Sequence, residues 1–278
     1  MSFSVRTLNM SKPLFPVSRN TLWFAFVTVC ALMLALPALY RHTDTVREDV
    51  LYALDPSAER AFQYGTRHFS SKSPALYDID RAEYFFNLAA IKDPTILYLY
   101  HQLARISFLR GDFTRAMTQI NYQISMHGDA TPNSYYIRGL IEGYMGDYES
   151  SARDYEYFLR FDPRNWAALN DYAWVLLKAE RFQDAAVVTA RGLIDFPDNP
   201  WLLNSHAIAL FELHQYEDAL LYAQKASAAV AILSEEEWLH AYPGNDPKIG
   251  DDGLATFKKA VADNMHTIEL AIASSTVQ

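Results

Sequence analysis

Between residues 58 and 233 the apolar positions recur at steps of three and four, so this region is predicted to be a run of amphipathic helices. The pattern is clearest over 134–165, where two such segments meet at Gly146-Asp147 and the unit closes at Asp162-Pro163. Proline lacks the N–H needed to extend a helix, so Pro163 marks an end. The unit then repeats. The apolar residue opening the second segment recurs as Ile79, Phe113, Tyr148, Phe182 and Tyr216, at steps of 34, 35, 34 and 34 residues. Three residues later a small residue follows each time, as Ala82, Ala116, Ser151, Ala185 and Ala219. The first segments carry their own small residue, Ala104, Gly139, Ala173 and Ala207, where a partner helix must approach closely. Pro94, Pro163 and Pro197 close three units, and Gly128 and Ala231 hold the corresponding places in the other two. One helix pair of this length cannot bury its own apolar face, so the units are expected to stack.

This combination resembles the tetratricopeptide repeat (TPR) family, whose unit is a helix–turn–helix of 34 residues. Gly139, Tyr148, Ser151, Tyr155, Phe158 and Pro163 carry the resemblance in the central unit. It covers about 58–233, in five repeats. It implies an all-α, right-handed α-solenoid whose usual work is holding other proteins. The first repeat is irregular: its opening helix is predicted at about 57–69, with Gly65 as the close-contact residue, and a Ser/Pro loop follows over 70–75. Repeats two to five are predicted at about 95–128, 131–165, 166–199 and 200–233. Their turns differ: Gly111-Asp112 and Gly146-Asp147 carry the family's glycine, Glu180-Arg181 and His214-Gln215 do not.

The resemblance also implies a concave wall built from the first helix of each repeat. On this chain that wall is Tyr98, His101 and Arg105, then Tyr136, Leu140 and Tyr144. Asn170, Trp174 and Lys178 follow, and then Trp201, Asn204, Ser205 and Ile208. Asn170 and Asn204 lie 34 residues apart, so they are expected in register, with amides available to the backbone of an extended peptide. Tyr and Trp would supply contact area. The competing reading is that these aromatics only pack one repeat on the next. Chaperone-binding members of the family hold a free C-terminal carboxylate with Lys, Asn and Arg. Ile137, Ala167 and Asp171 stand where such groups would be needed, so that recognition is not supported.

The flanks change the picture. Residues 1–20 contain Pro13 and Pro16 and little periodicity, as in a short tail. Residues 21–40 are 20 consecutive uncharged residues, long enough to cross a bilayer as a helix, with Trp23 and Tyr40 near the ends. A cleaved signal would place Leu36 where a small residue is needed, so an uncleaved transmembrane signal anchor is expected. Arg6, Lys12 and Arg19 precede the span, which puts the N-terminus in the cytoplasm and the repeats on the extracytoplasmic side, the periplasm in a bacterium. Residues 41–57 form a juxtamembrane linker, helical up to about residue 54. After residue 233 a C-terminal capping region is expected: a short helix, a loop over 244–253, and a helix carrying Leu254, Phe257, Val261, Met265, Ile268 and Ile272. A solenoid needs its last apolar face covered.

Charge narrows the partners. Three of the 24 basic residues and none of the 33 acids fall within 1–40, so the remainder holds 21 basic against 33 acidic side chains. Nucleic acid is therefore not an expected partner, because phosphate contacts need clustered Lys and Arg. Cys30 is the single cysteine, which excludes an intrachain disulfide and a cysteine-rich metal site. The eight histidines form neither HxxxH nor HExxH, and P-loop, GxGxxG and GxSxG motifs are absent. No cofactor, metal or catalytic site is expected. The function this supports is a membrane-anchored scaffold or adaptor that binds a protein or peptide in its groove. Secretion, envelope or pilus assembly fits that layout by analogy. A self-assembling homo-oligomeric scaffold is the alternative, and a glycan-binding module or enzyme accessory subunit a further one.

Overall fold

The computed structural model of the chain describes residues 23, 26–30, 46–70, 72, 74–241 and 250–275. The chain divides into two compact units, 1–54 and 55–278. In the first, residues 26–30 and 46–54 are helical. The rest of the predicted anchor lies outside the described residues. Among the described residues no helix is long and apolar enough to cross a membrane.

The second unit is all-helical among its described residues. Five helix pairs follow one another: α1 (Ala58–His68) with α2 (Ile79–Lys92), α3 (Leu99–Leu109) with α4 (Phe113–His127), α5 (Asn133–Met145) with α6 (Tyr148–Phe158), α7 (Trp166–Lys178) with α8 (Phe182–Asp195), and α9 (Pro200–Glu212) with α10 (Tyr216–Ile232). Two C-terminal helices follow, α11 (Glu235–Ala241) and α12 (Gly250–Ser275). Helix α12 begins at Gly250, so 250–253, expected as loop, opens the helix instead. Pairing within a repeat and stacking of each second helix on the next first helix give the solenoid its order.

Local chemistry explains most of the helix starts. A helix leaves its first N–H groups without intrahelical partners, and a short polar side chain at the N-cap can accept from one of them. Ser57, Asp78, Asp112, Asp147, Asn165 and Asn199 each do so for the residue three positions on. Helix α3 has no such cap, since Tyr98 precedes it. Gln123 from α4 substitutes: its Oε1 accepts the Tyr100 and His101 N–H groups at 3.1 and 3.3 Å.

The four tight turns within repeats two to five share one geometry. The N–H of Asp112, Asp147, Arg181 and Gln215 donates to the carbonyl five residues earlier, at 2.9, 3.0, 2.8 and 2.9 Å. Such a closure puts the preceding residue in the left-handed region. Gly111 and Gly146 meet that demand, whereas Glu180 at φ 57° and His214 at φ 61° meet it against their own Cβ. Replacing Glu180 by Gly is expected to stabilise the chain by about 0.5–1 kcal/mol. A urea titration checks this; a lower midpoint would show that Glu180 makes a contact that outweighs its backbone strain.

The core runs along the stack as a series of small-residue contacts. Ala82, Ala116, Ser151, Ala185 and Ala219 are all fully buried, as are Ala104, Ala173 and Ala207 opposite them. Helix α12 covers the last repeat. Its Val261 packs with Leu203, Ala226 and Val230, and its Ile268 with Ala207, Leu210, Ala219 and Ala223. Of the apolar face read over 254–272, Val261 and Ile268 are buried on α9 and α10, and Phe257, Met265 and Ile272 pack there partly buried.

Candidate functional site

Helices α3, α5, α7 and α9 line a groove of about 830 Å³. Of the residues that the repeat register places on the inner wall, Tyr98, His101, Arg105, Tyr136, Leu140, Tyr144, Asn170, Trp174, Trp201, Asn204 and Ser205 line it. Lys178 and Ile208 are not among its lining residues. Further lining comes from positions outside that register: Gln102, Phe108, Leu109, Asn133, Ile137, Asn165, Ala167 and Asp171 on the first helices and their caps, Phe158 from α6, and Phe257 from α12. Phe257 stacks on Trp201 with ring centroids 5.0 Å apart and planes 8° from parallel, so the terminal helix forms the end of the groove at repeat five.

The floor is aromatic. Tyr144 and Trp174 meet at 5.5 Å, and Phe108 meets Tyr144 edge-on at 5.0 Å. Trp174 fits there because α5 carries Gly143 opposite it. A Cβ at Gly143 would lie 2.9 Å from the indole and 3.0 Å from Val175. The corresponding positions on the other first helices are Phe108, Leu177 and Phe211.

The polar inner-face residues form a ladder between neighbouring elements. His101 Nδ1 and Ser134 Oγ on α5 are 3.2 Å apart. The Tyr136 hydroxyl donates to Asp171 on α7 at 2.6 Å. The Ser205 hydroxyl of α9 donates to Asn170 at 2.8 Å, and Asn264 of α12 donates to Asn204 at 3.0 Å. Asn170 and Asn204 therefore each bond the next element through Oδ1, where their spacing predicted a matched pair turned towards a peptide. The ladder occupies Oδ1 of each amide, and Asn170 Nδ2 also donates to Asp171 at 3.4 Å.

Burial and neighbouring charge set the protonation states. Burial, with the Arg105 charge beside it, pushes the His101 imidazole down to about 3, so it is neutral at pH 7. Burial lowers Arg105 to about 10, which leaves it charged; it donates to Gln102 at 2.7 Å and lies 4.6 Å over the Phe69 ring. Asp171 is the only carboxylate among the described residues lining the groove. Burial first, then the Asp171 charge, raises the Tyr144 phenol. Among the described residues no cluster of His, Cys, Asp or Glu could hold a metal.

Between α5 and α6 lies a charged network. Arg138 donates to both oxygens of Asp154, at 2.5 and 2.8 Å, and to Asn121 of α4 at 3.2 Å. Glu142 stands 3.9 Å from Arg138, and its Oε2 has no hydrogen-bond partner among the described residues. Burial, then the Asp154 charge, raises the Glu142 carboxyl from 4.5 to about 7. The folded chain thus holds this proton more tightly than the unfolded one. The stabilisation is complete below pH 4.5 and is lost as pH rises towards 7. With allowance for solvent screening the loss is about 1–2 kcal/mol. Glu142→Gln is expected to flatten stability between pH 5 and pH 8, read from urea midpoints at both; an unchanged slope would mean Glu142 is ionised throughout.

No family model matches the chain, and no curated protein is significantly similar to it. Solved structures do share its fold. A MamA structure superposes with a TM-score of 0.53 at 15% identity, covering 63% of this chain and 92% of that one. YrrB, a TPR protein with an unusual peptide-binding site, superposes at 0.54 with 11% identity, covering 66% of this chain and 91% of that one. A second MamA structure gives 0.51 at 16% identity, over 57% and 92% of the two chains.

Proposed function

On the tetratricopeptide-repeat fold that these superpositions establish, we propose that the chain is a scaffold that holds a partner protein through an extended segment lying in the concave groove. The groove itself carries this reading. Eight of its 21 lining residues are aromatic, and they belong to four successive repeats and the terminal helix. Had these rings served only to pack repeats together, they would be buried; Tyr144 instead is 58% exposed. Rigid aromatic side chains presented on a preformed surface are the usual anchors of protein interfaces. The peptide-binding site of YrrB supports a peptide as the class of ligand.

The proposal includes the tether. Residues 21–40 anchor the scaffold in a membrane, with the N-terminus cytoplasmic and the repeats on the extracytoplasmic side, as their apolar run and the preceding basic residues imply. The scaffold then concentrates its partner at the membrane surface. A reporter active only outside the cytoplasm, fused after residue 278, is the check on this orientation; activity solely of a cytoplasmic reporter would reverse it.

The binding claim is tested by photo-crosslinking from Leu140 and Tyr144 in the groove, with Val187, exposed on α8, as the control position. One heterologous protein captured from both groove positions and not from Val187 is the expected result. The same adducts from Val187 would defeat the groove as the site. Capture of the chain by itself, from the groove alone, would make the scaffold a self-assembling one.

A further inference from the structure

The polar groups of the groove are unevenly committed. Its accepting oxygens already carry donors from within the chain. Asn170 Oδ1 takes the Ser205 hydroxyl at 2.8 Å, Asn204 Oδ1 the Asn264 amide at 3.0 Å, and Gln102 Oε1 the Arg105 guanidinium at 2.7 Å. The two oxygens of Asp171 accept from Tyr136 and Asn170 at 2.6 and 3.4 Å. Three donors on the same wall are in the opposite state. The Trp174 indole N–H and the amide N–H groups of Asn204 and Gln102 donate to no group among the described residues. All three residues are partly exposed. The aromatic rings divide in a similar way. Trp201 and Phe257 stack face to face at 5.0 Å, whereas Tyr144 stays 58% exposed beside Trp174, their rings 5.5 Å apart and tilted by 40°. The groove therefore offers a ligand spare N–H donors around an open pair of rings.

We propose that the occupant is a proline-rich segment of the partner, bound in the polyproline II conformation. Proline offers a carbonyl and no N–H, so a run rich in it matches a wall of donors and brings few donors to a wall whose acceptors are taken. A segment with an N–H at every residue would leave several of them dehydrated without a good acceptor, which costs affinity. Proline-rich segments dock in aromatic-lined grooves, and their conformation is preformed, so little ordering entropy is lost on binding. With about three residues per turn, prolines at i and i+3 fall on one side of such a helix, and Tyr144 with Trp174 receive that side. This inference rests on the groove being the partner site, and it adds the class of segment held there and the rings that set its register.

The test selects random dodecapeptides displayed on phage against the full chain in detergent micelles and against Trp174→Ala. Peptides enriched only on the wild-type chain are expected to carry prolines at i and i+3. Changing either proline to alanine, which restores an N–H, should weaken binding about tenfold, and N-methylalanine, which again lacks it, should recover part of the loss. Two conservative variants read the donors directly. Trp174→Phe keeps a ring and removes the indole N–H; Asn204→Asp keeps the oxygen that accepts from Asn264 and removes the amide donor. Each should weaken the proline peptides about three- to tenfold with helix content unchanged. Trp174-dependent peptides without recurrent proline, equal affinity of the alanine and N-methylalanine peptides, or full affinity in both Trp174→Phe and Asn204→Asp would overturn the proline assignment and leave the groove reading standing. Absence of any Trp174-dependent enrichment would remove the groove reading and this inference with it.

Discussion

Tyr155→Ala is expected to destabilise the chain by about 3–5 kcal/mol, the loss seen when a large buried aromatic is truncated in a core that cannot collapse around the void. Tyr155 is completely buried. Its ring meets Tyr136 at 5.6 Å and Tyr172 at 6.4 Å, so it links the central repeat to the first helix of the next one. It also packs with Ala152, Val175, Leu176 and Ala185, of which the two alanines are too small to reach into the space. In a solenoid the energy lost at one interface is felt mostly by its neighbours, so unfolding of the variant should begin at repeats three and four. Tyr155→Phe keeps the ring and is expected to cost far less. Urea midpoints of both variants decide the matter; a loss below about 1 kcal/mol for Tyr155→Ala would mean that the inter-repeat core is not where stability resides.

Tyr144→Ala combined with Trp174→Ala is expected to weaken partner binding at least about a hundredfold, since truncating one central aromatic anchor commonly costs 2 kcal/mol or more. The fold should survive. Tyr144 is mainly solvent-exposed, and Trp174 lies on the groove side of α7 against Gly143 and Tyr148. A stability loss of about 1–2 kcal/mol from the removed apolar contact is the expected accompaniment. Binding is measured on the partner captured by crosslinking, and helix content by circular dichroism. Unchanged affinity in the double variant would show that the aromatic floor only packs repeats together. Collapse of the helical signal would assign both rings to the core.

The repeat architecture was legible because a helix pair that must stack imposes a strict period, and residues such as Ala82, Ala116, Ser151, Ala185 and Ala219 have to be small at every contact. The inner wall was implied by the resemblance to the repeat family, and all of its expected residues except Lys178 and Ile208 line the groove. Side-chain partners were not legible in this way. Asn170 and Asn204 carry the same spacing, yet one accepts from Ser205 of the next repeat and the other from Asn264, sixty residues away on α12. Periodicity places a residue on a face; it does not give the offset between neighbouring helices that decides which atoms meet. Phe257 was read correctly as part of an amphipathic helix, but its position at the end of the groove depends on how α12 lies across the last repeat. The turns at Glu180-Arg181 and His214-Gln215 were placed by the repeat spacing, but their geometry was not legible without the family's glycine. Their closing hydrogen bonds are made by backbone atoms, so the geometry persists after the glycine that would signal it has been replaced. The anchor at 21–40 was read from an apolar run that lies largely outside the described residues.

Hydroxyl-radical footprinting of the full chain, compared between native membranes and the purified protein in detergent micelles, tests the occupied groove most directly. Oxidation of Tyr144 and Trp174 is predicted to fall several-fold in membranes, while Tyr84, Tyr122 and Phe161, exposed outside the groove, react equally in both. Equal oxidation of Tyr144 and Trp174 in the two preparations, or protection confined to Tyr84, Tyr122 and Phe161, would contradict a scaffold that holds its partner in the concave face.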